Sequence, residues 1–396
     1  MDIIIVANFE EENGANSRFV SIANKLKQNH QVEIITSTFA HMPKLQKEKQ
    51  NYTENDIKWT HCYESGYPKN ICIKRFISHN QFGKNVKKYM DNRKKPDLVY
   101  LAVPSLSVGV LLAKYCKKNK VKFVVDIQDL WPEAFKMVFN PPIIGNLIYL
   151  PFTLQANKIF RQADKIIAVS KTYLVRGLAV NKKCKNGLVT YLGTDKEKFD
   201  KIANSIIKNE NERLTLVYIG TLGGSYTLDK IILAIAKLYE NGNKNIKLVV
   251  LGDGPCKQSF ENLAVENNID CEFLGYLPYE EMVTKLVAYD VAVNPIKDNA
   301  AQSIINKVGD YAMAGLPVIN TQKCEEYRNE VDERNIGINC ENSDINTIVK
   351  AIEIMQDSKK RKIMGDNNRK WAEVAFDRNI TYEKIANLLE EIKDVK

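Results

Sequence analysis

None of the eight cysteines pairs in a Cys-x-x-Cys motif, and the four histidines all lie before residue 80. That pattern argues against a structural zinc site and for reduced thiols in a cytoplasmic protein. Met1 and Asp2 lead straight into Ile3-Ile4-Ile5-Val6 with no basic n-region or cleavage site, so no secretory signal is expected. Low-complexity tracts are lacking. So is any Asp-x-Asp, and Gly252-Asp253-Gly254-Pro255 after a strand lacks the Gly-x-Gly-x-x-Gly spacing of a dinucleotide fold and the Lys-Ser/Thr of a P-loop. No helix-turn-helix, zinc-finger or RNP pattern supports nucleic-acid binding. An uncharged run, 137–157, is interrupted by Pro141, Pro142, Gly145, Asn146 and Pro151, which excludes a spanning helix. Two readings stay open for it, a buried core helix and a segment in contact with a membrane surface.

What is there fits a globular chain of two domains. At 396 residues with 44% hydrophobic and 27% charged side chains, one compact core does not suffice. Charge is divided unevenly. Residues 1–200 hold 32 Lys+Arg against 18 Asp+Glu, and residues 201–396 hold 25 against 30. The basic half suggests an anionic partner, and an anionic membrane surface fits better than nucleic acid.

Short β-branched runs begin at Ile3, Val32, Leu98, Lys122, Lys165, Leu188, Leu214, Ile246, Glu272, Val291, Pro317 and Ile336. Amphipathic helical patterns lie between most of them, among them 105–118, 229–239 and 279–288. Such alternation predicts an α/β chain with parallel sheets covered on both faces. The series restarts near Leu214 after a polar segment, 196–213. Two doubly wound, Rossmann-like domains are expected, with ligands at the carboxyl ends of strands.

The most informative stretch is 302–318, a polar loop running into a short helix, then Gly315, Pro317 and a new strand. A helix N-terminus offers unpaired amides and a positive dipole end to a diphosphate. Lys307 adds a cation in the first turn, and Asp310, one turn later, can accept hydrogen bonds from sugar hydroxyls. Gly220-Thr221-Leu222-Gly223-Gly224-Ser225 follows one strand and can bring amides to a phosphate. Gly252-Asp253-Gly254-Pro255 follows the next. Phe273-Leu274-Gly275-Tyr276-Leu277-Pro278 then offers an aromatic and exposed backbone to a base, or simply leads into a proline-started helix.

These segments, with Asp290-Val291-Ala292 and Lys307…Asp310-Tyr311…Ala314-Gly315-x-Pro317-Val318, occur in the order typical of family 4 glycosyltransferases. The chain resembles the retaining GT-B enzymes of that family over essentially its whole length, especially those of bacterial capsule and O-antigen synthesis. Asp126-Ile127-Gln128-Asp129-Leu130-Trp131-Pro132-Glu133, 163–170, Leu192-Gly193-Thr194-Asp195 and Gly66-Tyr67-Pro68-Lys69-Asn70 with Arg75-Phe76-Ile77-Ser78-His79 belong to the same resemblance. It implies an N-terminal acceptor-binding domain (1–197), a C-terminal nucleotide-sugar-binding domain (198–376) facing it across a cleft, and a last helix (377–396) that crosses back to the first domain.

By that resemblance the family's paired glutamates fall on Gln302, at the donor sugar, and Asp310, at the ribose. Ser303 and Ile304 offer amides to the diphosphate. The family's phosphate-binding arginine is replaced by Thr221, leaving neutralisation to Lys307, the loop amides and Arg18 after the Asn13-Gly14 turn. Gly14, Gly220, Gly252, Gly254, Tyr276 and Leu277 complete the donor-site candidates. Gln128, where many members carry histidine, Asp129 and Gln302 are the catalytic candidates; loop capping is the alternative for Gln128 and Asp129. His41, Arg75 and His79 are the acceptor-side candidates. The resemblance implies no metal and no cofactor, a UDP-linked donor with N-acetylamino sugars among the candidates, and an undecaprenyl-diphosphate-linked saccharide as acceptor. The protein would work in the cytoplasm, on the inner face of the membrane. A non-catalytic donor-binding subunit and a sugar-nucleotide epimerase of the same fold are the competing expectations.

Overall fold

A computed structural model describes the chain apart from residues 11–16, 48–50, 71, 137–144, 207–212, 299–302 and 393–396. Two compact units emerge, Met1–Tyr191 with Ile380–Lys396, and Leu192–Asn379.

The strands of the first unit are β1 (Asp2–Val6), β2 (Gln31–Ser37), β3 (Phe39–Ala40), β4 (Leu45–Gln46), β5 (Tyr52–Glu54), β6 (Ile57–Cys62), β7 (Leu98–Val103), β8 (Lys122–Ile127), β9 (Lys165–Ala168) and β10 (Leu188–Val189). Eight form one sheet in the order β10-β9-β8-β7-β1-β2-β6-β5, with β3 and β4 paired separately. Ile3, Ile4, Ile5 and Val6 are wholly buried between β2 and β7, as a central parallel strand with both faces covered requires. Within the eight-stranded sheet the edge strand β5 pairs antiparallel, joined to β6 through Asn55 and Asp56 at φ 48° and 60°. Those two residue types tolerate the left-handed region that a two-residue hairpin needs. β6 was absent from the strands expected from sequence.

In the second unit β11 (Leu214–Ile219), β12 (Ile246–Leu251), β13 (Cys271–Gly275), β14 (Val291–Asn294), β15 (Val318–Asn320) and β16 (Gly337–Asn339) form a parallel sheet ordered β13-β12-β11-β14-β15-β16. The polar stretch expected to link the domains lies in this unit. There Lys196–Ala203 is a helix whose N-cap Asp195 accepts from the Lys198 amide at 3.0 Å; residues 207–212 lie outside the described residues.

The last helix, Arg378–Glu391, returns to the first unit. Tyr382, Ile385, Ala386, Leu389 and Ile392 enter the same core as Ile3, Ile5, Phe19, Ile22 and Tyr100. Lys25–Glu383 (2.8 Å) and His30–Glu390 (2.9 Å) flank that contact.

From Gly145 on, the uncharged run lies in a helix, Gly145–Gln162, with Pro151 inside it; residues 137–144 lie outside the described residues. Tyr149, Ala156, Ile159 and Phe160 are buried, while Leu147, Ile148, Leu150 and Leu154 face solvent. No helix among the described residues is long and apolar enough to cross a membrane.

Candidate active site

The second unit builds its site where β11 and β12 end and the helix Asn306–Met313 begins. The side chain of its N-cap residue, Ile305, makes no cap hydrogen bond, and the Val308 amide donates back to Ile305 O at 3.0 Å. Lys307 is only 7% exposed, and its ammonium lies 3.8 Å from the centre of the Tyr218 ring and 4.3 Å from that of Tyr226. Among the described residues it meets no hydrogen-bond acceptor. Burial holds its pKa well below that of an ordinary lysine, because desolvation disfavours the charged form.

Gly220 (φ +125°) leaves the space beside this ammonium open, since a Cβ there would stand 3.4 Å from Lys307 Nζ. Its amide, however, donates to Leu251 O, and that of Gly254 to Asp253 Oδ1. Those two amides are held within the loops and do not meet the expectation of phosphate donors. Gly252 and Gly254 serve close approach instead. A Cβ at Gly252 would lie 1.9 Å from Gly220 O, and one at Gly254 2.4 Å from Leu222 O. Thr221 is exposed, and its carbonyl accepts from Tyr218 Oη at 2.7 Å, which orients the ring under Lys307.

Asp310 accepts from Tyr279 Oη (3.2 Å) and Thr194 Oγ1 (3.3 Å). Burial pushes its carboxyl up to about 6 against the pull of those two bonds. On the next residue Tyr311 ties the helix to the sheet, accepting from the Ile219 amide and donating to Val293 O. Ser303 and Ile304 are buried, and Ser303 O accepts from Gln322 Nε2. Tyr276 stands out at 81% exposure, and Leu277 packs at the edge of the unit's second core. Gln302 and Gly14 lie outside the described residues.

The first unit gathers a different set beyond the carboxyl ends of β1, β2, β6 and β8. Arg18 does not reach a free phosphate position. It donates to Asp126 (Nε–Oδ2, 2.9 Å) and to the carbonyls of Thr190 and Tyr191. Burial lowers its pKa, but Asp126 and the neighbouring Tyr100 and Tyr382 more than reverse that. The expectation of Arg18 as a diphosphate partner is corrected accordingly, since its charge is already answered by a buried carboxylate. Gln128 donates to Asp126 Oδ1 (2.6 Å). Asp129 accepts from the Leu130 amide (2.9 Å) and Trp131 Nε1 (3.1 Å), so both side chains cap and brace their own loop here. Burial raises the Asp129 carboxyl despite these bonds.

His79 is 2% exposed and stacks on Trp131 at 5.8 Å. His41 exchanges a 2.6 Å hydrogen bond with Tyr67 Oη. Burial first, then the nearby Arg75, lowers His79 to about 3; burial, Lys44 and Arg75 lower His41 to about 4. Both imidazoles are therefore neutral at pH 7. A cavity of about 410 Å³ opens beside His79 and Trp131, walled by Phe76, Ile77 and Phe152. Among the described residues no group of three or more His, Cys, Asp or Glu stands together as a ligand set for a metal ion.

Tyr218, Tyr226, Glu64 and Lys44 were not among the residues singled out from sequence. Tyr218 and Tyr226 meet Lys307 far along the chain, whereas Lys44 bonds His41 only three residues away; no motif marks any of them.

Two doubly wound α/β units, with the final helix returned to the first, constitute the GT-B glycosyltransferase fold. Within it, residues 198–371 match the family model described as glycosyl transferases group 1. The chain is similar to the GDP-mannose-dependent monoacylated alpha-(1-6)-phosphatidylinositol monomannoside mannosyltransferase of Corynebacterium glutamicum, 24% identical over 167 residues. That match spans 41% of this chain and 43% of the relative. Sucrose-phosphate synthase from Thermosynechococcus elongatus shares the fold at TM-score 0.75 and 14% identity, over 100% of this chain and 99% of that one. Anabaena HepE, solved with UDP, does so at TM-score 0.69 and 14% identity, over 99% and 100%.

Proposed function

We propose that this chain is a retaining glycosyltransferase that moves a sugar from a UDP-linked donor to an undecaprenyl-diphosphate-linked saccharide in capsule or O-antigen synthesis. The observation that carries the reading is Lys307, a buried amine with no acceptor among the described residues, in the first turn of a helix whose N-cap side chain makes no cap and one turn from Asp310. A nucleoside diphosphate supplies what that arrangement lacks, namely anionic oxygens for Lys307 and the helix amides, and ribose hydroxyls for Asp310. Exposed Tyr276 gives the base a ring face beside Leu277. UDP in the Anabaena neighbour and a GDP-sugar in the Corynebacterium relative both suit such a site.

In this reading the acceptor hydroxyl attacks the anomeric carbon on the face from which the diphosphate departs. Negative charge grows on the leaving oxygen and is met by fixed amides and by Lys307, with no metal ion in that role. Exposed Leu147, Ile148, Leu150 and Leu154, on the basic half of the chain, would hold the protein at an anionic bilayer that presents the acceptor.

A donor-binding subunit without turnover is favoured by one observation, the engagement of Gln128 and Asp129 with their own loop. Incubation with a panel of sugar nucleotides and a lipid-linked saccharide separates the two, with product mass as the readout. A product one sugar heavier supports the transferase; donor binding without any product supports the subunit; isomerised donor without acceptor supports an epimerase.

A further inference from the structure

The side chain of Arg75 lies among three rings, 4.6 Å from the centre of Trp131, 5.4 Å from Tyr67 and 5.7 Å from Phe9. Its Nη1 donates to Asn70 O at 2.9 Å and the guanidinium also bonds the Tyr67 side chain, while Nε is buried and meets no acceptor among the described residues. No described carboxylate lies within ion-pair distance of it. Those nearby are engaged elsewhere: Asp129 by Leu130 and Trp131, Glu64 by the Ser78 hydroxyl at 2.8 Å. Beside it, His79 Nε2 is likewise buried without a hydrogen bond, 3.8 Å from Glu64. Lys44 sits 5.1 Å from the Tyr67 ring centre, on the other side of His41. Arg75 and Lys44 thus converge with two neutral imidazoles on rings; Asp129 and Glu64 attract Arg75 from a distance, but among the described residues no carboxylate is ion-paired with it.

Stacked guanidinium is held in orientation at little entropic cost, and its remaining donors suit the planar or tetrahedral oxygens of a carboxylate or phosphate. We propose that Arg75, with Lys44 and the ring nitrogens of His41 and His79, receives an anionic group of the acceptor. This deepens the glycosyltransferase reading and rests on it. The anion is either a carboxylate on the sugar or the phosphate that joins sugar to lipid, and the two have the same chemistry at Arg75.

Both sources can be tested with UDP present at saturation, which fills any phosphate site at Lys307. Methyl glucuronide, farnesyl phosphate and neutral methyl glucoside are titrated while imidazole C–H resonances are followed by NMR; the chain has only four histidines. The expected result is saturable movement of the His41 and His79 signals with one or both anions, and none with methyl glucoside. Glucuronide alone would assign the sugar carboxylate, and farnesyl phosphate alone the lipid-linking phosphate. R75Q should weaken the anion by about tenfold or more, and R75K by less, since it keeps the charge but loses the fork. UDP affinity should be unchanged in both, which certifies folding; if R75Q does not fold, R75K carries the comparison. Equal response to methyl glucoside, no response to either anion, or undiminished binding in the variants overturns the proposal. Failure of the wild type to bind any nucleotide would instead sink the transferase reading, leaving the anion titration to be judged separately.

Discussion

Lys307 places its ammonium 3.8 Å above the centre of the Tyr218 ring, and the hydroxyl of that same tyrosine is fixed by Thr221 O. Among the described residues no oxygen accepts from that nitrogen. A site of this kind is costly in the empty protein and favourable once an anion arrives.

Replacing Lys307 by alanine should weaken UDP binding by about 1.5–3 kcal/mol, roughly 10- to 150-fold, because the diphosphate loses a charged donor in a desolvated place. Calorimetry measures it directly. Since the free protein disfavours the ammonium and a diphosphate favours it, binding should also take up a proton. Observed enthalpies should then vary with buffer ionisation heat, and affinity should fall as pH rises. Unchanged affinity in the alanine variant would place the diphosphate elsewhere.

Asp310→Asn should stabilise the empty protein at neutral pH while weakening nucleotide binding. The carboxyl is raised to about 6 from the ordinary 3.8. Its ionisation therefore costs stability fully above pH 6 and nothing below the unfolded value. About 1–3 kcal/mol at pH 7 is expected. The difference in Tm between variant and wild type should close as pH is lowered from 7 to 4, and a constant gap across that range would contradict the assignment.

Asp129→Ala strands the Leu130 amide and the Trp131 indole N–H, which should cost about 1–3 kcal/mol of stability. Gln128→Ala removes one donor from Asp126 and should cost less. If either also touches the sugar, turnover falls more than UDP affinity does. Losses confined to Tm, with the turnover of the surviving protein unchanged, would leave both residues as loop braces only.

Leu147→Asp with Leu150→Asp should reduce co-sedimentation with anionic vesicles, as should charge reversal at Lys94 and Lys95. The basic residues near the surface are worth about 1 kcal/mol each at low ionic strength. Salt should weaken binding and neutral vesicles should bind poorly. Indifference to anionic vesicles at low salt would remove the membrane from the proposal.

Activity should survive a chelator, because the leaving charge is assigned to Lys307 and helix amides. Turnover abolished by chelation and restored by Mg²⁺ or Mn²⁺ would move that charge onto a metal.

Much of the scaffold was legible because parallel strands are buried on both faces and read as apolar runs. Leu98, Lys122, Lys165, Leu188, Leu214, Ile246 and Val291 begin strands at the residues expected. β6 escaped because Lys58 and His61 interrupt its run, although Asn55-Asp56 before it carried the chemistry of a tight hairpin. Lys307 and Asp310 could be seen as a spacing on one helix. The rings beneath Lys307 could not, since they come from another strand and the loop after it. Arg18 shows the limit most clearly. Its basic side chain near the start of the chain suggested a phosphate, yet its partner Asp126 lies 108 residues away and leaves it no charge to offer.

The Leu192–Asn379 unit is a single uninterrupted length of chain, whereas the other unit is assembled from both ends of the polypeptide. During synthesis the second unit is therefore complete while the first still lacks Tyr382, Ile385, Leu389 and Ile392 from its core. A stop codon near residue 380 would leave one unit intact and the other open along the face that Phe19 and Ile22 normally share with the last helix. In the nascent protein, the half that waits for its last helix is the half in which Arg75 lies among the rings of Trp131, Tyr67 and Phe9.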